Sequence, residues 1–336
     1  MVEGSRIYQI ELNTISASLA GLSTKLSEFQ RESFPKEIIP ENRACYKIGE
    51  AFNQAVKAYK EEYGGQDGAV LFIVQEGERN YYDQLHLQTE IDSSIPVLRA
   101  TLADPNVFKV SSDGALTVND QEIAVIYYRA GYSPDEYKTE SFWNSRDLLE
   151  SSRAIKCPDI ASHLAGLKKI QQVLTSYDTL LSTMCHDEYS TTELRSSFAG
   201  IYSLDVSEDG DRNIEMALTD PDRFVLKPQR EGGGNNFYGP QIRIALQSMS
   251  TQERPAFILM DRIRPSINAN CQIFRSSQVS VIDAVSELGV YGTILAKNDE
   301  ILLNEQVGWL LRTKPVESDE GGVVSGYSVL DVPKLY

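Results

Sequence analysis

The sequence predicts a mixed α/β protein of two or so lobes, on three observations. At 336 residues the chain is too long for one ordinary hydrophobic core. Val70-Leu71-Phe72-Ile73-Val74 is an unbroken apolar run of strand length, and residues 75–80 carry it into a helical pattern near Tyr81. Short strand patterns separated by turn residues then dominate the last third of the chain.

In chain order, residues 7–12 alternate and are β-prone. Glu11 and Asn13 are two apart, so on an extended strand they share a face. They read either as half of a Mg²⁺ site, with Glu231 as a third ligand, or as a solvated strand face. Thr14-Ile15-Ser16-Ala17-Ser18 leads into a helix through Phe29. Ser16 and Ser18 there act as N-terminal caps, or present hydroxyls and N–H groups to a carboxylate. Pro35 to Pro40 breaks the chain, and residues 45–63 form an amphipathic helix closed by Gly64-Gly65. After the apolar run, Glu78, Asn80 and Gln84 stand out, because ligands of open α/β sheets gather at the carboxyl ends of strands.

A second strand at Pro96-Val97-Leu98-Arg99 precedes a meander with turns at Asp113-Gly114 and Asn119-Asp120, ending in a strand over 123–128. Arg129-Ala130-Gly131-Tyr132 leaves that strand, and Arg129 is a carboxylate clamp or a surface ion-pair partner. Helical patterns cover 141–153, 160–174, 193–198, 212–218 and 240–248. Lys168-Lys169 in the second of these reach a phosphate or are simply solvated. Strands are expected at 223–226, 256–260, 273–274, 279–284, 291–296 and 301–303, with Glu287 after one of them and a helical pattern returning over 307–312. A Gly-rich, acidic-edged loop occupies 317–326.

The most unusual stretch is residues 227–238, KPQREGGGNNFY. Gly232, Gly233 and Gly234 have no side chains to pack, and such a run frees the backbone to bring N–H groups close to an anion. Lys227 and Arg230 add positive charge, Glu231 a metal-binding carboxylate, and Asn235 and Asn236 amides. A nucleoside triphosphate with Mg²⁺ suits this chemistry, and a flexible surface hairpin is the alternative. Neither GxxxxGK[ST] nor GxGxxG occurs.

Composition narrows the class. Hydrophobic residues make up 41% and charged residues 24%, as in a soluble globular protein. No run is long and apolar enough for a bilayer, and MVEGSRIYQIELN has no signal pattern. The four cysteines are widely spaced without CxxC, which points to a reducing cytoplasm rather than disulfides or zinc. Cys185-His186 is adjacent only in sequence, and three histidines in all make a poor metal set. A net charge of −16 argues against nucleic acid as a partner.

Together these stretches resemble the eukaryotic type of glutathione synthetase, in the ATP-grasp superfamily. The resemblance runs from Ile7 to Asp331 through IELNTISAS, QEGERNYYDQ, AVIYYRAGY, KCPDIASHLAGLKKIQQ, SLDVSEDGD, FVLKPQREGGGNNFYG, SELG, LLRTK and GGVVSG. It implies an ATP-grasp fold with an inserted α/β substrate-binding domain: 1–65 opening the core, 66–167 binding substrate, and 168–336 binding ATP with loops 227–239 and 315–327. It implies ligation of γ-glutamylcysteine to glycine at the expense of ATP, through an acyl phosphate.

The resemblance also assigns residues. Glu11, Asn13 and Glu231 would hold Mg²⁺. ATP would meet Lys168, Lys227, Gln229, Gly232, Gly233, Gly234, Asn235, Asn236, Tyr238, the Met260, Asp261, Arg262 and Ile263 segment, Glu287, Lys314 and Glu320. γ-Glutamylcysteine would lie against Ser16, Ala17, Ser18, Glu78, Arg79, Asn80, Gln84, Arg129 and Tyr132. Arg312, Val323 and Val324 would meet the glycine end, and Arg129 and Arg312 would be the catalytic pair. Relatives form homodimers and carry a further, largely helical N-terminal region ahead of the Glu11 segment, which supplies an arginine to the γ-glutamylcysteine site. Two alternatives remain: a truncated, catalytically impaired nucleotide- or peptide-binding form, and a ligase for another acceptor amine such as β-alanine.

Overall fold

The computed structural model describes residues 1–64, 68–176, 178–185, 187–231, 234–275 and 278–335. The chain divides into two compact units. The first takes Met1–Asn13, Leu164–Glu287 and Arg312–Val329; the second takes Thr14–His163, Leu288–Leu311 and Leu330–Tyr336.

The second unit is built on the strand Ala69–Ile73, buried at all five residues. Its run lacks polar alternation because both of its faces are covered. It lies between Val97–Ala100 and Gln121–Tyr128, parallel to each. Leu116–Val118 and Phe108–Val110 extend the sheet as the antiparallel meander, and Asn119 and Asp120 both have positive φ, as a two-residue hairpin turn requires. Alternate residues separate two cores. Leu71, Ile73, Ile126 and Tyr128 pack on one side with Leu149. Val70, Phe72, Val125 and Tyr127 pack on the other against Phe52, Val56 and Tyr59 of the helix Ala44–Tyr63.

In the first unit an antiparallel sheet runs in the order Phe237–Tyr238, Phe224–Pro228, Phe257–Asp261, Ile201–Ser203. Phe224, Leu226 and Leu259 bury one face under the helices Glu208–Thr219 and Pro240–Ser248, through Ala217, Ile242 and Leu246. Val225 and Lys227 alternate with these residues, so the lysine is turned away from that core. A further sheet orders Asn268–Arg275, Gln278–Lys297, Glu300–Pro315 and Val329–Asp331. Among the described residues, no helix is long and apolar enough to cross a membrane.

Several sequence expectations are corrected. Residues 7–12 do not form a strand: Arg6–Ile7 pairs with Val2–Glu3, and beyond it only an isolated bridge joins Gln9 to Phe198. The first helix is Ala20–Ser33, and Ser16 and Ser18 do not cap it. Its cap position is Leu19, in a left-handed conformation, and the carboxylate of Asp83 accepts from the N–H groups of Leu19 (2.7 Å) and Leu22 (3.1 Å). A distant carboxylate thus serves the orphan donors better than the nearby hydroxyls. The helical pattern 160–174 is two helices, Ile160–Ala165 and Lys168–Ser176, parted at Gly166-Leu167. The patterns 193–198 and 212–218 begin earlier, as Glu188–Ser197 and Glu208–Thr219, each capped by the side chain before it, Asp187 or Ser207. Strands 279–284 and 291–296 are one, Gln278–Lys297, and Glu287 lies inside it.

The helical pattern over 307–312 is overturned outright, since it falls within the strand Glu300–Pro315. Pairing within the sheet explains this, and the buried Asn42 adds to it at Trp309. Asn42 Nδ2 donates to the Trp309 carbonyl (2.8 Å), and its Oδ1 accepts from the Trp309 N–H (3.2 Å), as a neighbouring strand would. Beside it Gly308 approaches Ala44 so closely that an added Cβ would sit 2.5 Å from the alanine Cβ. Pairing overrides propensity here. Asn42→Ala is therefore expected to destabilise the fold by about 1–3 kcal/mol, because the half-buried Trp309 N–H loses its acceptor and the Trp309 carbonyl keeps only the Ser23 hydroxyl, at 3.4 Å. An unshifted urea-unfolding midpoint would show that the Trp309 backbone finds other partners.

Candidate active site

In the first unit many of the side chains expected at the site gather around the buried strand Phe224–Pro228. Lys227, only 6% exposed, points its Nζ toward the Ile10 carbonyl (3.5 Å). Burial pulls its ammonium below the ordinary lysine value, against the raising influence of Glu11. Burial alone would push Glu11 up, but Lys227, Lys168, the Asn13 amide and Arg312 outweigh it and hold Glu11 below the ordinary carboxylate value. Asn13 Nδ2 donates to Glu11 Oε1 at 3.2 Å, so the two belong together even without a strand.

Lys168 opens the helix Lys168–Ser176, and the next residue's backbone N–H donates to Gln229 Oε1 (3.1 Å). The buried Lys168 Nζ donates to the Arg230 carbonyl (2.9 Å) and pairs with Glu231 (3.4 Å). Burial raises the Glu231 carboxyl; Lys168 opposes that, and the charge of Glu11 adds to it. Gly232 and Gly233 lie outside the described residues, as does His186 of the Cys185-His186 pair. Gly234 has positive φ (89°), and its N–H donates to Glu320 Oε2 (2.9 Å). Asn236 Nδ2 reaches Glu320 Oε1 (3.5 Å) and the Tyr238 hydroxyl (3.4 Å), which in turn donates to the Asp319 carbonyl (3.3 Å).

A second cluster of the same unit centres on Glu287, whose side chain is 9% exposed between Arg312 (2.8 Å) and Lys314 (3.1 Å). Lys314 also donates to the Asp319 carbonyl (3.0 Å), and Arg262 pairs with the Asp319 carboxylate (2.6 Å). Gly321 approaches Glu287 so closely that a Cβ there would lie 2.7 Å from its Oε2. Met260 and Asp261 end the strand beside Phe224–Pro228. Asp261, Arg262 and Ile263 line a cavity of about 450 Å³ with Arg6, Tyr8 and Arg223. Val323 and Val324 follow in the loop that Tyr327 N–H closes onto the Gly322 carbonyl (2.9 Å).

The second unit gathers the remaining residues at the carboxyl end of its parallel strands. Arg129, 6% exposed, donates from Nη1 to the Ala17 carbonyl (2.7 Å). Ser16, with positive φ (54°), donates to the Tyr128 carbonyl (3.2 Å), and the Ser18 carbonyl accepts from Tyr291 (2.5 Å). Glu78 accepts from the Asn80 N–H (2.7 Å), ahead of the helix Tyr81–Thr89 that carries the buried Gln84. Tyr132 accepts from Gln75 (2.9 Å), and Arg79 is exposed. Sequence reasoning missed Asp83, Arg99 and Asp319. The signal for Arg99 was the one that found Arg129, an arginine at a strand's carboxyl end.

Among the described residues no three His, Cys, Asp or Glu side chains gather for a metal ion. Glu11, Asn13 and Glu231 instead offer two carboxylates and an amide, all hard oxygen donors. Both carboxylates are half-buried, and the charge of Glu11 disfavours that of Glu231, a set that a divalent cation suits.

Known proteins resemble this chain over nearly its whole length. A family model described as the ATP-binding domain of eukaryotic glutathione synthase matches residues 2–335. The chloroplastic glutathione synthetase of Solanum lycopersicum is 42% identical over 340 residues, 97% of this chain and 60% of that protein. The glutathione synthetase of Mus musculus is 42% identical over 347 residues, 98% of this chain and 71% of that one. The chain thus spans between three-fifths and about seven-tenths of these relatives' length. A glutathione synthetase-like effector from Globodera pallida, solved in apo form, shares the fold with a TM-score of 0.75 at 19% identity, covering 98% of this chain and 71% of its own.

The raised Glu231 carboxyl has a sign that can be checked. Its folded state holds the proton more firmly than the unfolded chain, so its stabilising contribution is complete below the ordinary value of 4.5 and is lost as pH rises through the folded value. Glu231→Gln is expected to raise the melting temperature of the ligand-free protein more at pH 8 than at pH 4. An equal or opposite change at the two pH values overturns this assignment of the buried charge.

Proposed function

The chain belongs to the eukaryotic glutathione synthase family, and from that premise we propose that it joins γ-glutamylcysteine to glycine, converting ATP to ADP and phosphate. One observation carries the reading to this chain's own residues. In the first unit the buried Lys168 and Lys227 share one neighbourhood with Glu11 and Glu231, in which burial pulls the Lys227 ammonium down and pushes the Glu231 carboxyl up. A triphosphate accompanied by a divalent cation has the charge distribution that completes such a cluster.

A free carboxylate is a poor acyl donor because oxide would have to leave. Transfer of the γ-phosphoryl group of ATP to the cysteinyl carboxylate gives an acyl phosphate. The glycine amine then attacks the acyl carbon, and phosphate leaves with the electron pair of the broken C–O bond. This chain supplies position and charge rather than a nucleophile. Lys227 and Lys168 neutralise phosphate oxygens. Arg312, oriented by Glu287, faces the charge at the reacting centre and the glycine end near Val323 and Val324. Arg129, held by the Ala17 carbonyl, binds a substrate carboxylate. Glu11, Asn13 and Glu231 would hold Mg²⁺, which when bound neutralises phosphate oxygens during transfer. Loops 227–239 and 315–327 exclude water that would hydrolyse the acyl phosphate. A cytoplasmic setting and a homodimer belong to the same proposal.

The test is ADP release with each substrate omitted in turn. Release should require both γ-glutamylcysteine and an acceptor amine, and turnover indifferent to γ-glutamylcysteine would sink the reading. Lys227→Ala should lower kcat/KM for ATP about 100-fold or more, measured at saturating γ-glutamylcysteine and glycine. Glu231→Gln should mainly raise the Mg²⁺ concentration for half-maximal rate. A wild-type Mg²⁺ titration in that variant would remove Glu231 from the metal set.

A further inference from the structure

Arg99 lies on the strand Val97–Ala100, directly across from Phe72, which is in turn across from Tyr127. Arg129 is two residues beyond Tyr127, so alternation brings Arg99 and Arg129 to the same face at the carboxyl end of the parallel strands. That end is where open α/β sheets receive ligands. Gln84 comes from the helix that follows the central strand. The Arg99 guanidinium lies over the Phe72 ring (5.7 Å) and the Tyr81 ring (5.1 Å), and its Nη2 donates to Gln84 Oε1. The amide of Gln84 therefore has a defined sense, with Oε1 toward Arg99 and Nε2 as its other end.

Three donors of this group are left over. Gln84 Nε2, Arg99 Nη1 and Arg129 Nε are buried, and none meets a hydrogen-bond acceptor among the described residues. Buried donors are normally satisfied, so three on adjoining side chains, two of them cationic, mark a place for an anion. The planar forks of two arginines and an amide N–H match a carboxylate. Burial lowers the Arg99 guanidinium, Tyr81 and Glu78 oppose that, and Arg129 adds a smaller lowering, so the two arginines are close enough to feel one another.

We propose that Arg99 is a specificity-determining residue: with Gln84 and Arg129 it forms a three-donor cradle for the α-carboxylate of the γ-glutamyl head, and it fixes the orientation of Gln84. This rests on the ligase reading above and adds a residue to its substrate site. The reacting cysteinyl carboxylate is not the group held. The amine next to the bound carboxylate is left for acidic neighbours, Glu78 and Asp83 among them.

The test compares two peptides by calorimetry, γ-glutamylcysteine and 4-aminobutanoyl-cysteine, which lacks the α-carboxylate. Arg99→Ala should weaken γ-glutamylcysteine about tenfold or more, leave the truncated peptide within about twofold, and leave the KM for ATP unchanged. Arg99→Lys should fall between the two, and it stands in if the alanine variant does not fold. Equal losses for both peptides would make Arg99 a merely structural residue and overturn the cradle, whatever the turnover. Wild-type protein that binds γ-glutamylcysteine with the predicted Arg99 dependence but forms no peptide bond would overturn the ligase reading and leave the cradle standing. No binding of either peptide to the wild type would overturn the cradle.

Discussion

Charge held out of water without enough partners is the constraint on which the first unit depends. Lys227, Lys168 and Glu287 are almost fully buried, and the strand Phe224–Pro228 that carries the first of them is buried throughout. Isolated buried charges are costly, so each must be tied to something. Glu287 is tied twice, to Arg312 and Lys314. Lys227 is tied least: one long contact to a carbonyl and the field of Glu11. The unit thus places its best-compensated charges around Glu287 and its least-compensated ones where phosphate and a cation are proposed to bind. Stability given up in the empty protein is regained when those ligands arrive.

The second unit applies the same logic with donors instead of net charge. Asp83 shows how this is arranged. By taking the N–H groups of Leu19 and Leu22 it anchors the start of the helix Ala20–Ser33. That anchoring leaves the Ala17 carbonyl placed to accept from Arg129. A helix capped by its own serines would have ended its turn differently and left Arg129 without that support. The left-handed backbone at Ser16 and Leu19 is part of the same arrangement, a local strain sustained by the surrounding bonds.

Local pattern made much of this legible. The run 70–74, the helix after Arg43 and the two-residue turn at Asn119-Asp120 all follow from residue types that permit few structures. Failures came where a distant side chain decided the outcome. Nothing near Val307 to Arg312 announces that Asn42 pairs with Trp309, and nothing near Ser16 announces Asp83. The pairing of Glu11 with Asn13 was anticipated for the wrong reason, since they meet through a hydrogen bond on irregular backbone rather than on one strand face. Arg99 was visible as a strand residue, but its relation to Gln84 exists only once the helix Tyr81–Thr89 is folded against the sheet.

The bond from the Gly234 amide to Glu320 gives the glycine stretch an occupant of its own. A phosphate oxygen that claims this amide must evict a carboxylate, so the exchange swaps one anion for another and the local charge changes little. The same carboxylate is available to take the amide back when phosphate departs. Tethered a few residues beyond Lys314, it would act, under the proposed function, as an internal competitor for that amide whose effective concentration never falls.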